Sequence, residues 1–383
     1  MSPFFQLESA PPGSKARAGL LRTAHGDIPT PVFMPVGTAG SVKAVAPRSL
    51  KDAGARIILG NTYHLYLRPG CGLIEKAGGL HRFASWDGAM LTDSGGFQVW
   101  SLETLRKISE NGVEFRSHID GSKHLFTPES VMQAQRQIGA DIIMAFDECT
   151  PYPATPEETD KSLGLTQRWT QRAQEWLAKN PPLHGYEQRF FGIVQGGMHK
   201  EARARAIEHL LTLDLPGLAL GGLSVGEPAE IMYDVAGYCA DLLPPGKPRY
   251  VMGVGTPSNL LTLVGLGIDM FDCVLPTRNA RNGTVYTWDG ALHYKAARHA
   301  AELERPLDER CGCYTCRNFS RAYLRHLFVA GEILALELAS LHSIHFFQEL
   351  MAESRKRILE GTFEAWSREL LARWAVPKVE AKP

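Results

Sequence analysis

The 383-residue sequence lacks the overall positive charge that marks many nucleic-acid-binding proteins, because its 41 Lys and Arg residues are matched by 41 Asp and Glu residues. Any RNA-binding surface must therefore be a local one. No stretch reaches the roughly 18 apolar residues that a membrane span needs. The first residues also lack the basic start and apolar run of about 7–15 residues that a secretory signal has. We therefore expect a cytoplasmic protein with no membrane segment.

Two nucleotide-binding signatures are also missing. The chain has no G-x-G-x-x-G turn after a strand and no Walker-type phosphate loop, which argues against a Rossmann domain and against a P-loop fold. Hydrophobic residues make up 44% of the chain and charged residues 21%, as in ordinary globular proteins. The length suits one large α/β domain or two small ones.

The seven cysteines are an odd number for a disulfide framework. Four of them stand alone along the chain: Cys71, Cys149, Cys239 and Cys273. The other three, Cys311, Cys313 and Cys316, form a C-x-C-x2-C cluster, which His342 and His345 follow. Three thiolates and one imidazole complete a tetrahedral structural zinc site with no position left for water, although free buried thiols beside a chance histidine are an alternative. The spacing does not choose between His342 and His345.

Eight short apolar runs, most of them ending in a small or polar residue, predict strands that are buried on both faces. They occupy residues 32–37, 57–61, 89–93, 142–147, 190–195, 218–222, 250–255 and 270–275. Helical patterns at 156–179, 199–213 and 227–242 lie between them, and the first has a capped start at Thr155. Strands alternating with helices predict an α/β fold of the (β/α)8 TIM-barrel type. An open doubly wound sheet is the main rival.

Two segments are too long for a bare barrel. Residues 94–140 exceed what one helix would use, so we expect a small inserted hairpin there, and 277–345 is a second insertion that contains the cysteine cluster. We expect the main part of the barrel in residues 1–276, helices packed on the barrel in 346–374, and a frayed tail in 375–383.

Polar residues follow most of the predicted strands, at the end where barrel enzymes build their active sites. They are Asn61, Asp93, Asp147, Gln195, Gly222, Met252 and Asp272. The alternative for each Asp is that it only caps the next helix, but three carboxylates in such positions favour a shared site. Asp272 lies inside an apolar strand, where a carboxylate is costly unless it is paired or functional. The pattern alone does not rank the three.

Glycine-rich turns follow two of the predicted strands, in TDSGGFQ (92–98) and GGLSVGE (221–227). Glycines let the backbone approach a ligand closely, so that its N–H groups can bind a base edge or an anion. A phosphate loop is the alternative for the second turn.

The segment after the last predicted strand is locally basic. Residues 278–325 hold nine Lys and Arg against five Asp and Glu, and Tyr286, Trp288, Tyr294 and Tyr314 lie among them. Basic side chains bind phosphates and aromatic rings stack on unpaired bases, so this segment is a candidate RNA surface. The alternative is a solvated face with packed aromatic rings.

Together these motifs resemble bacterial tRNA-guanine transglycosylase, an enzyme family of the queuosine pathway. The likeness spans residues 4–374 and depends on LTDSGGFQVWSL, FDECTPYPA, FGIVQGG, GGLSVGE, YVMGVG, MFDCVLPTR and the cysteine cluster with its downstream histidine. It implies an irregular (β/α)8 barrel with an inserted zinc subdomain, one structural Zn2+ per chain, and a homodimer with this subdomain near the interface. It also selects His342 over His345 as the fourth zinc ligand.

The resemblance also implies the site residues. It makes Asp272 the covalent nucleophile and Asp93 the group that handles protons. The base-binding residues by the same likeness are Ser94, Gly95, Gly96, Phe97, Asp147, Cys149, Gln195, Gly222, Leu223, Val225 and Met252. Phe97, which is often a tyrosine in the family, is expected to stack on the base, and Met252 to cover its other face.

Two segments resemble RNA-contacting parts of the family, and the expected partner is a tRNA anticodon loop. They comprise Gly253, Val254, Gly255, Thr256, Pro257, Ser258 and Asn259 in one segment, and Thr277, Arg278, Asn279, Ala280 and Arg281 in the other. The family often has Ser-Gly where this chain has Asn279-Ala280.

The implied reaction replaces the wobble guanine of the tRNAs for Asp, Asn, His and Tyr, in a UGU anticodon sequence, by the 7-deazaguanine base 7-aminomethyl-7-deazaguanine. A carboxylate that adds to the anomeric carbon forms a covalent intermediate, as in retaining glycosidases. One acid/base group can then serve both half-reactions. Cys149 and Val225 match the bacterial pattern, and Val225 is expected to exclude the bulkier queuine.

Three other functions remain as alternatives. A non-catalytic RNA-binding subunit would be expected to lose carboxylates that this chain keeps. A barrel glycoside hydrolase leaves the zinc insertion and the basic segment unexplained. An archaeal-type enzyme that acts elsewhere in tRNA would usually have extra C-terminal RNA-binding domains.

Overall fold

The computed structural model describes residues 3–98 and 106–375. Residues 99–105 of the predicted insertion, which include the end of the LTDSGGFQVWSL motif, lie outside the described residues, as do residues 376–383 of the predicted tail. Ala375, the first residue of that predicted tail, ends a helix.

The strands of the described residues form four sheets. In chain order the strands are β1 (Phe5–Ser9), β2 (Ala18–Thr23), β3 (Gly26–Thr30), β4 (Val32–Pro35), β5 (Ile57–Gly60), β6 (Ala89–Thr92), β7 (Lys107–Ser109), β8 (Gly112–Arg116), β9 (Lys123–Phe126), β10 (Ile142–Met144), β11 (Arg189–Val194), β12 (Gly217–Leu220), β13 (Arg249–Val251), β14 (Met270–Cys273), β15 (Val285–Thr287) and β16 (Gly290–Leu292).

Helices lie between and after these strands. They span Pro47–Asp52, Thr62–Leu67, Cys71–Lys76, Leu80–Ala84, Pro128–Ile138, Pro156–Lys179, Lys200–Thr212, Ala229–Leu242, Pro257–Gly265, Leu275–Arg281, Tyr314–Asn318, Arg321–Ala330, Ile333–Leu359 and Phe363–Ala375, with a 3-10 turn at Ala297–His299. The helix Pro156–Lys179 has the predicted bounds, and its predicted cap is a reciprocal pair of hydrogen bonds between Thr155 and Glu158. Over residues 3–98 and 106–375, no helix combines the length and the apolar character that crossing a membrane requires.

The largest sheet is a barrel of eight parallel strands. They follow one another in chain order, β4, β5, β6, β10, β11, β12, β13 and β14, and β14 pairs with β4. A parallel bridge between Val36 and Leu59 joins β4 to β5 and closes the ring. The eight predicted strands and the (β/α)8 fold are therefore confirmed. The strands β5, β6, β10 and β11 end before the polar residue that closes the predicted run, whereas Asp272 lies within its strand, β14, as the sequence pattern indicated.

Strands β1, β2 and β3 form an antiparallel sheet that the sequence analysis did not predict. This sheet lies at the N-terminal end of the barrel. There the Phe4 ring packs edge-on against Phe191 of β11, with ring centroids 6.0 Å apart, and Arg17 binds Asp269 just before β14. The sheet therefore covers the end of the barrel opposite the predicted site.

The first insertion holds a three-stranded antiparallel sheet, β7–β8–β9, followed by the helix Pro128–Ile138. The expected hairpin is present, and β9 extends it by one strand. Phe126 of β9 packs edge-on against Phe115 (4.9 Å) and against Phe146 beyond β10 (6.2 Å). The first contact lies within the inserted sheet, and the contact with Phe146 joins that sheet to the barrel.

The segment after β14 has a hydrophobic core of its own. That core includes Ala280, Val285, Leu292, Tyr294, Leu307, Leu324, Leu327 and Leu338. The helix Ile333–Leu359 belongs to both cores, because Leu338 lies in this second core whereas Gln348 Nε2 donates a hydrogen bond to the Phe33 carbonyl of β4 (3.0 Å). The limit expected between residues 345 and 346 falls inside this continuous helix.

Candidate active site and metal site

A pocket of about 410 Å³ opens at the C-terminal ends of the barrel strands. Of the predicted residues, those that line it are Asp93, Ser94, Gly95, Phe97, Asp147, Cys149, Gln195, Gly222, Leu223, Val225, Met252, Gly253, Asp272 and Arg278. Gly96 lies directly behind this lining, where a Cβ atom would come within 2.7 Å of the Asp147 carbonyl oxygen. A residue with a side chain at position 96 would therefore displace the loop that carries Asp147.

Asp272 is held at one of its two carboxylate oxygens. Its Oδ1 accepts hydrogen bonds from the Tyr250 hydroxyl (2.5 Å) and from the Gly253 N–H (2.8 Å). No described residue donates a hydrogen bond to Oδ2. Burial raises the pKa of this carboxyl, and the two hydrogen bonds oppose that effect. One oxygen is thus fixed by the protein and the other remains available to a ligand.

Asp93 lies deeper, in a small network formed with the loop after β5. Its Oδ2 accepts a hydrogen bond from Asn61 Nδ2 (2.5 Å) and its Oδ1 from the Thr62 N–H (2.8 Å). Burial raises the pKa of Asp93 to about 6, and the nearby charge of Asp272 adds to the rise. A carboxyl group with such a pKa can take up and release a proton near neutral pH.

Asp147 is the third carboxylate of the pocket, and it lies close to Gly96. The Ser94 hydroxyl donates to its Oδ1 (3.1 Å) and Gln195 Nε2 donates to its Oδ2 (2.7 Å). Burial raises the pKa of Asp147 to about 6. Within the described residues, the Gln195 Oε1 atom is buried and has no hydrogen-bond partner. This corner therefore presents polar atoms that a ligand with N–H groups could satisfy.

The remaining walls combine apolar side chains, a thiol and a glycine-rich loop. Phe97 is 48% exposed at the mouth and Met252 is partly buried. Burial raises the pKa of the Cys149 thiol to about 12, so this thiol is neutral. The Glu227 carboxylate accepts hydrogen bonds from the Ser224 and Val225 N–H groups and fixes the glycine-rich loop after β12.

Of the twelve predicted RNA-contacting residues, two line the pocket, and others are half-buried or buried. Gly253 and Arg278 line the pocket, and Arg278 is exposed. Thr256 caps the helix Pro257–Gly265 by accepting a hydrogen bond from the Asn259 N–H (3.2 Å). Val254, Pro257, Thr277 and Ala280 are buried, and Asn279 Nδ2 donates to the Tyr286 hydroxyl (3.2 Å).

The cysteine cluster and His342 meet in space as predicted. His342 Nδ1 lies 3.5 Å from Cys311 Sγ, 3.7 Å from Cys313 Sγ and 3.3 Å from Cys316 Sγ. Tetrahedral zinc with ordinary bond lengths would separate sulfur from nitrogen by about 3.6 Å. The other ring nitrogen, Nε2, lies 3.0 Å from the Tyr286 carbonyl oxygen, an outer contact typical of metal-bound histidine. This group can hold a metal ion.

His345 does not join this four-residue group. It lies one helical turn beyond His342 and pairs with Glu349 (3.3 Å). Since all three sulfurs surround His342, the structure supports His342 as the fourth candidate ligand.

Several side chains that shape the pocket were missed by sequence reasoning. Tyr250, which holds Asp272, lies inside the apolar strand β13 and opens the YVMGVG motif, but neither the pattern nor the resemblance gave it a role. His64 lines the pocket from the helix after β5. Asn61 was placed at this mouth by the strand pattern, but its bond to Asp93 was not foreseen, because it depends on the pairing of β5 with β6.

The fold and the pocket define a barrel enzyme with three carboxylates at its active-site mouth. A family model described as queuine tRNA-ribosyltransferase matches residues 13–376. Proteins of that name from Caldanaerobacter subterraneus subsp. tengcongensis and Solidesulfovibrio magneticus are each 56% identical to this chain, cover 94% of it and are themselves covered to 95% and 96%. The chain belongs to the queuine tRNA-ribosyltransferase family and is a transferase.

Proposed function

We propose that this protein exchanges the wobble guanine of the tRNAs for Asp, Asn, His and Tyr for 7-aminomethyl-7-deazaguanine, in the queuosine pathway. The observation that carries the proposal is the pair of carboxylates Asp272 and Asp93 in one pocket with different surroundings. Asp272 keeps one oxygen that receives no hydrogen bond from the described residues, whereas Asp93 is enclosed and has a pKa of about 6.

In this mechanism Asp272 is the nucleophile. Its Oδ2 adds to the anomeric carbon of the flipped nucleotide, because Oδ1 is occupied by Tyr250 and Gly253. The glycosidic bond breaks, its electron pair leaves with the guanine, and the ribose remains bonded to Asp272 with the RNA backbone intact. The second base then attacks the same carbon, and Asp272 leaves as a carboxylate.

Asp93 serves as the acid and base of the two half-reactions. Protonated Asp93 supplies a proton to the departing guanine, and the resulting carboxylate accepts one from the incoming base. A pKa of about 6 allows both protonation states near neutral pH. The raised value follows from burial and from the proximity of Asp272.

The purine is recognised in the corner between Asp147 and the loop after β12. The Asp147 carboxylate accepts hydrogen bonds from the N–H groups on one edge of guanine, and the backbone N–H groups of Gly222 and Leu223 donate to its carbonyl oxygen. Gln195 supplies a further polar group, and Ser94, Gly95 and Gly96 form the adjoining turn. Phe97 and Met252 contact the two faces of the ring.

Base choice depends on the space beside Cys149 and Val225, both of which line the pocket. A Val225→Gly variant is expected to admit queuine, which carries a bulky cyclopentenyl ring. Equal use of queuine by the unchanged protein would contradict this preference.

The tRNA anticodon loop docks on the segments 253–259 and 277–281. The exposed Arg278 beside the pocket supports this orientation, since its guanidinium can bind a phosphate next to the flipped nucleotide. The residues of these segments whose side chains are buried hold the backbone in place.

Zinc is the metal proposed for Cys311, Cys313, Cys316 and His342, with a structural role in the subdomain 277–345. The four protein ligands would complete the coordination of the ion and stabilise the second core. Metal analysis should find one zinc per chain. Its removal by a chelator should lower the melting temperature, and a chain that unfolds at the same temperature without metal would contradict the structural role.

A cytoplasmic homodimer is the proposed assembly, with a second copy of the chain on the zinc-bearing segment. That segment exposes large apolar side chains, including Ile333 (78%) and Val329 (64%), and it also carries the stacked rings of Phe319 and Tyr323. Light scattering should give the mass of two chains. A Val329→Asp, Ile333→Asp double variant should give the mass of one chain.

The test of the whole proposal is incubation of the protein with labelled guanine and a tRNA that carries the UGU anticodon sequence. Label should enter the tRNA, and a denaturation-resistant RNA–protein adduct should form. Both should be absent with Asp272→Asn. Failure of the unchanged protein to label any tRNA would overturn the proposal and favour a non-catalytic RNA-binding subunit.

A further inference from the structure

Arg203 is a fully buried arginine behind the predicted base pocket. It lies on the helix Lys200–Thr212 after β11 and is 0% exposed. A guanidinium stays charged in proteins, yet no carboxylate of the described residues forms an ion pair with Arg203. Burying a charge is costly unless polar partners compensate it. Its partners therefore indicate what the charge does.

Those partners are backbone carbonyl oxygens. Nη1 donates to the carbonyls of Val194 (2.6 Å) and Gly221 (2.8 Å), and Nε donates to the Gly197 carbonyl (2.9 Å). A longer contact of 3.5 Å joins Nη2 to the Gly222 carbonyl. Arg203 thus connects the loops after β11 and β12, which contribute Gln195, Gly222 and Leu223 to the pocket.

The direction of these carbonyls determines the direction of the neighbouring N–H groups. In a trans peptide the C=O and the following N–H point in opposite directions. Since the Gly221 carbonyl points towards Arg203, the Gly222 N–H points away from it, and the Gly222 carbonyl sets the Leu223 N–H in the same way. In residues 3–98 and 106–375, neither N–H donates a hydrogen bond. A ligand in the pocket can supply an acceptor.

We propose that Arg203 is a positioning residue for base recognition, which turns the N–H groups of Gly222 and Leu223 towards the carbonyl oxygen of a 6-oxopurine or its 7-deaza relative. This inference rests on the proposed function. The buried positive charge also strengthens the two N–H dipoles when negative charge develops on the departing base. Glycine suits position 222, because the residue has φ +64° and a Cβ there would lie 2.5 Å from Gln195 Oε1.

A matched control is Arg136, another buried arginine of the barrel. It is 6% exposed and donates to the Asn180 carbonyl (3.2 Å) and to Gln188 Oε1 (2.9 Å), away from the pocket. Loss of Arg136 should lower stability through the same kind of backbone contact. It should not change which base the pocket prefers.

The experiment measures binding of free guanine and of 2,6-diaminopurine, which carries an amino group in place of the carbonyl oxygen, to the purified full-length protein. The unchanged protein should prefer guanine. In Arg203→Met the ratio of the two dissociation constants, for 2,6-diaminopurine over guanine, should fall about tenfold. This is the size expected when one hydrogen bond to a polar ligand is misdirected. Arg136→Met should keep the full preference.

Arg203→Lys keeps the charge but cannot hold two carbonyls with a planar fork, and it carries the test if Arg203→Met does not fold. A reduced preference in a folded Arg203→Lys variant supports the inference. An unchanged preference in either folded variant overturns it. Base binding needs no tRNA, so a protein that fails to label tRNA while showing these preferences would refute the proposed function alone.

Discussion

Aspartates at the two ends of the barrel have opposite kinds of hydrogen-bond partner. Asp141 precedes strand β10 and Asp147 follows it. Asp269 immediately precedes β14, and Asp272 lies near the end of that strand. Asp141 and Asp269 lie at the N-terminal end of the barrel, and Asp147 and Asp272 at the C-terminal end. The four aspartates therefore allow a direct comparison of the two ends.

At the N-terminal end, each aspartate has basic partners. Asp269 accepts hydrogen bonds from Nε (2.9 Å) and Nη2 (2.7 Å) of Arg17. Asp141 is bound by His25 (2.8 Å) and His81 (3.1 Å), whose rings stack with centroids 3.6 Å apart. Burial alone would raise the pKa of Asp141, but the hydrogen bonds from the two histidines lower it to about 2.

At the C-terminal end, no ion pair joins Asp93, Asp147 or Asp272 to a basic residue of the described part of the chain. Their hydrogen-bond donors are neutral, and the pKa values of all three are raised. The difference shows that carboxylates at one end stabilise the fold through basic partners. At the C-terminal end, the carboxylates are buried without basic partners among the described residues, which destabilises the fold and is expected of an active site.

The largest expected effect separates the two aspartates of β14. Asp272→Asn should reduce guanine exchange by on the order of 10³-fold or more, because the nucleophile is lost. Its melting temperature should not fall, since an unpaired carboxylate is removed. Isotope-exchange rates and thermal unfolding measure the two quantities. Exchange close to the unchanged rate would contradict the role of Asp272.

Asp269→Asn should have the converse effect. It leaves Arg17 buried without its carboxylate, which should lower the free energy of unfolding by about 3–5 kcal/mol. The exchange rate per folded molecule should stay unchanged, because Asp269 lies at the far end of the barrel. Urea unfolding followed by circular dichroism measures the loss. If the variant were as stable as the unchanged protein, Asp269 would not stabilise the fold through Arg17, and the proposed difference between the two ends would be contradicted.

The next effect concerns the pH dependence of stability at the C-terminal end. Asp147 has a pKa of about 6 in the folded chain against 3.8 ordinarily, so its contribution to stability is fully present below pH 3.8 and is lost as the pH rises through 6. The loss amounts to about 3 kcal/mol. Asp147→Asn should make the decline between pH 4 and 6 less steep, and Asp93 and Asp272 should account for what remains. An identical pH slope in the variant would show that the carboxylate is not destabilised there.

The smallest expected effect has the opposite sign and lies at the N-terminal end. Asp141 has a pKa of about 2 in the folded chain, below its ordinary 3.8, so its contribution is present above pH 3.8 and is lost as the pH falls through 2. This contribution is about 2 kcal/mol. Asp141→Asn should make stability less sensitive to pH between 4 and 2. Urea unfolding at several pH values in that range measures this sensitivity. If the variant lost as much stability as the unchanged protein, the pairing of Asp141 with the two histidines would be contradicted.

The barrel itself could be predicted because its strands are continuous apolar runs that end in polar residues. Asp93, Asp147 and Gln195 reach the pocket for the reason given by the pattern, since the C-terminal ends of parallel strands meet at one mouth. Cys311 and its neighbours were predictable because three thiols within six residues are a local signal.

Other features depend on contacts that no local pattern contains. Tyr250 meets Asp272 only because β13 and β14 are neighbours, and Arg203 reaches Gly221 only because β11 and β12 are. The sheet β1–β3 was missed because its short strands mix buried and exposed residues without a long apolar run. The family resemblance, rather than the pattern, distinguished the role of Asp272 from that of Asp93.

The helix Ile333–Leu359 has a consequence for the timing of synthesis. Its Gln348 binds the carbonyl of Phe33 across 315 residues of sequence, and its Arg355 donates to the Gly19 and Thr30 carbonyls (2.9 Å each). A ribosome that adds roughly 5–20 residues per second needs roughly 15–60 s to make that stretch. Until β14 has been made, β4 lacks this neighbouring strand and has an open edge, which is a template for wrong pairing, and the helix is still to follow. We therefore expect the nascent chain, more than the finished protein, to depend on chaperones.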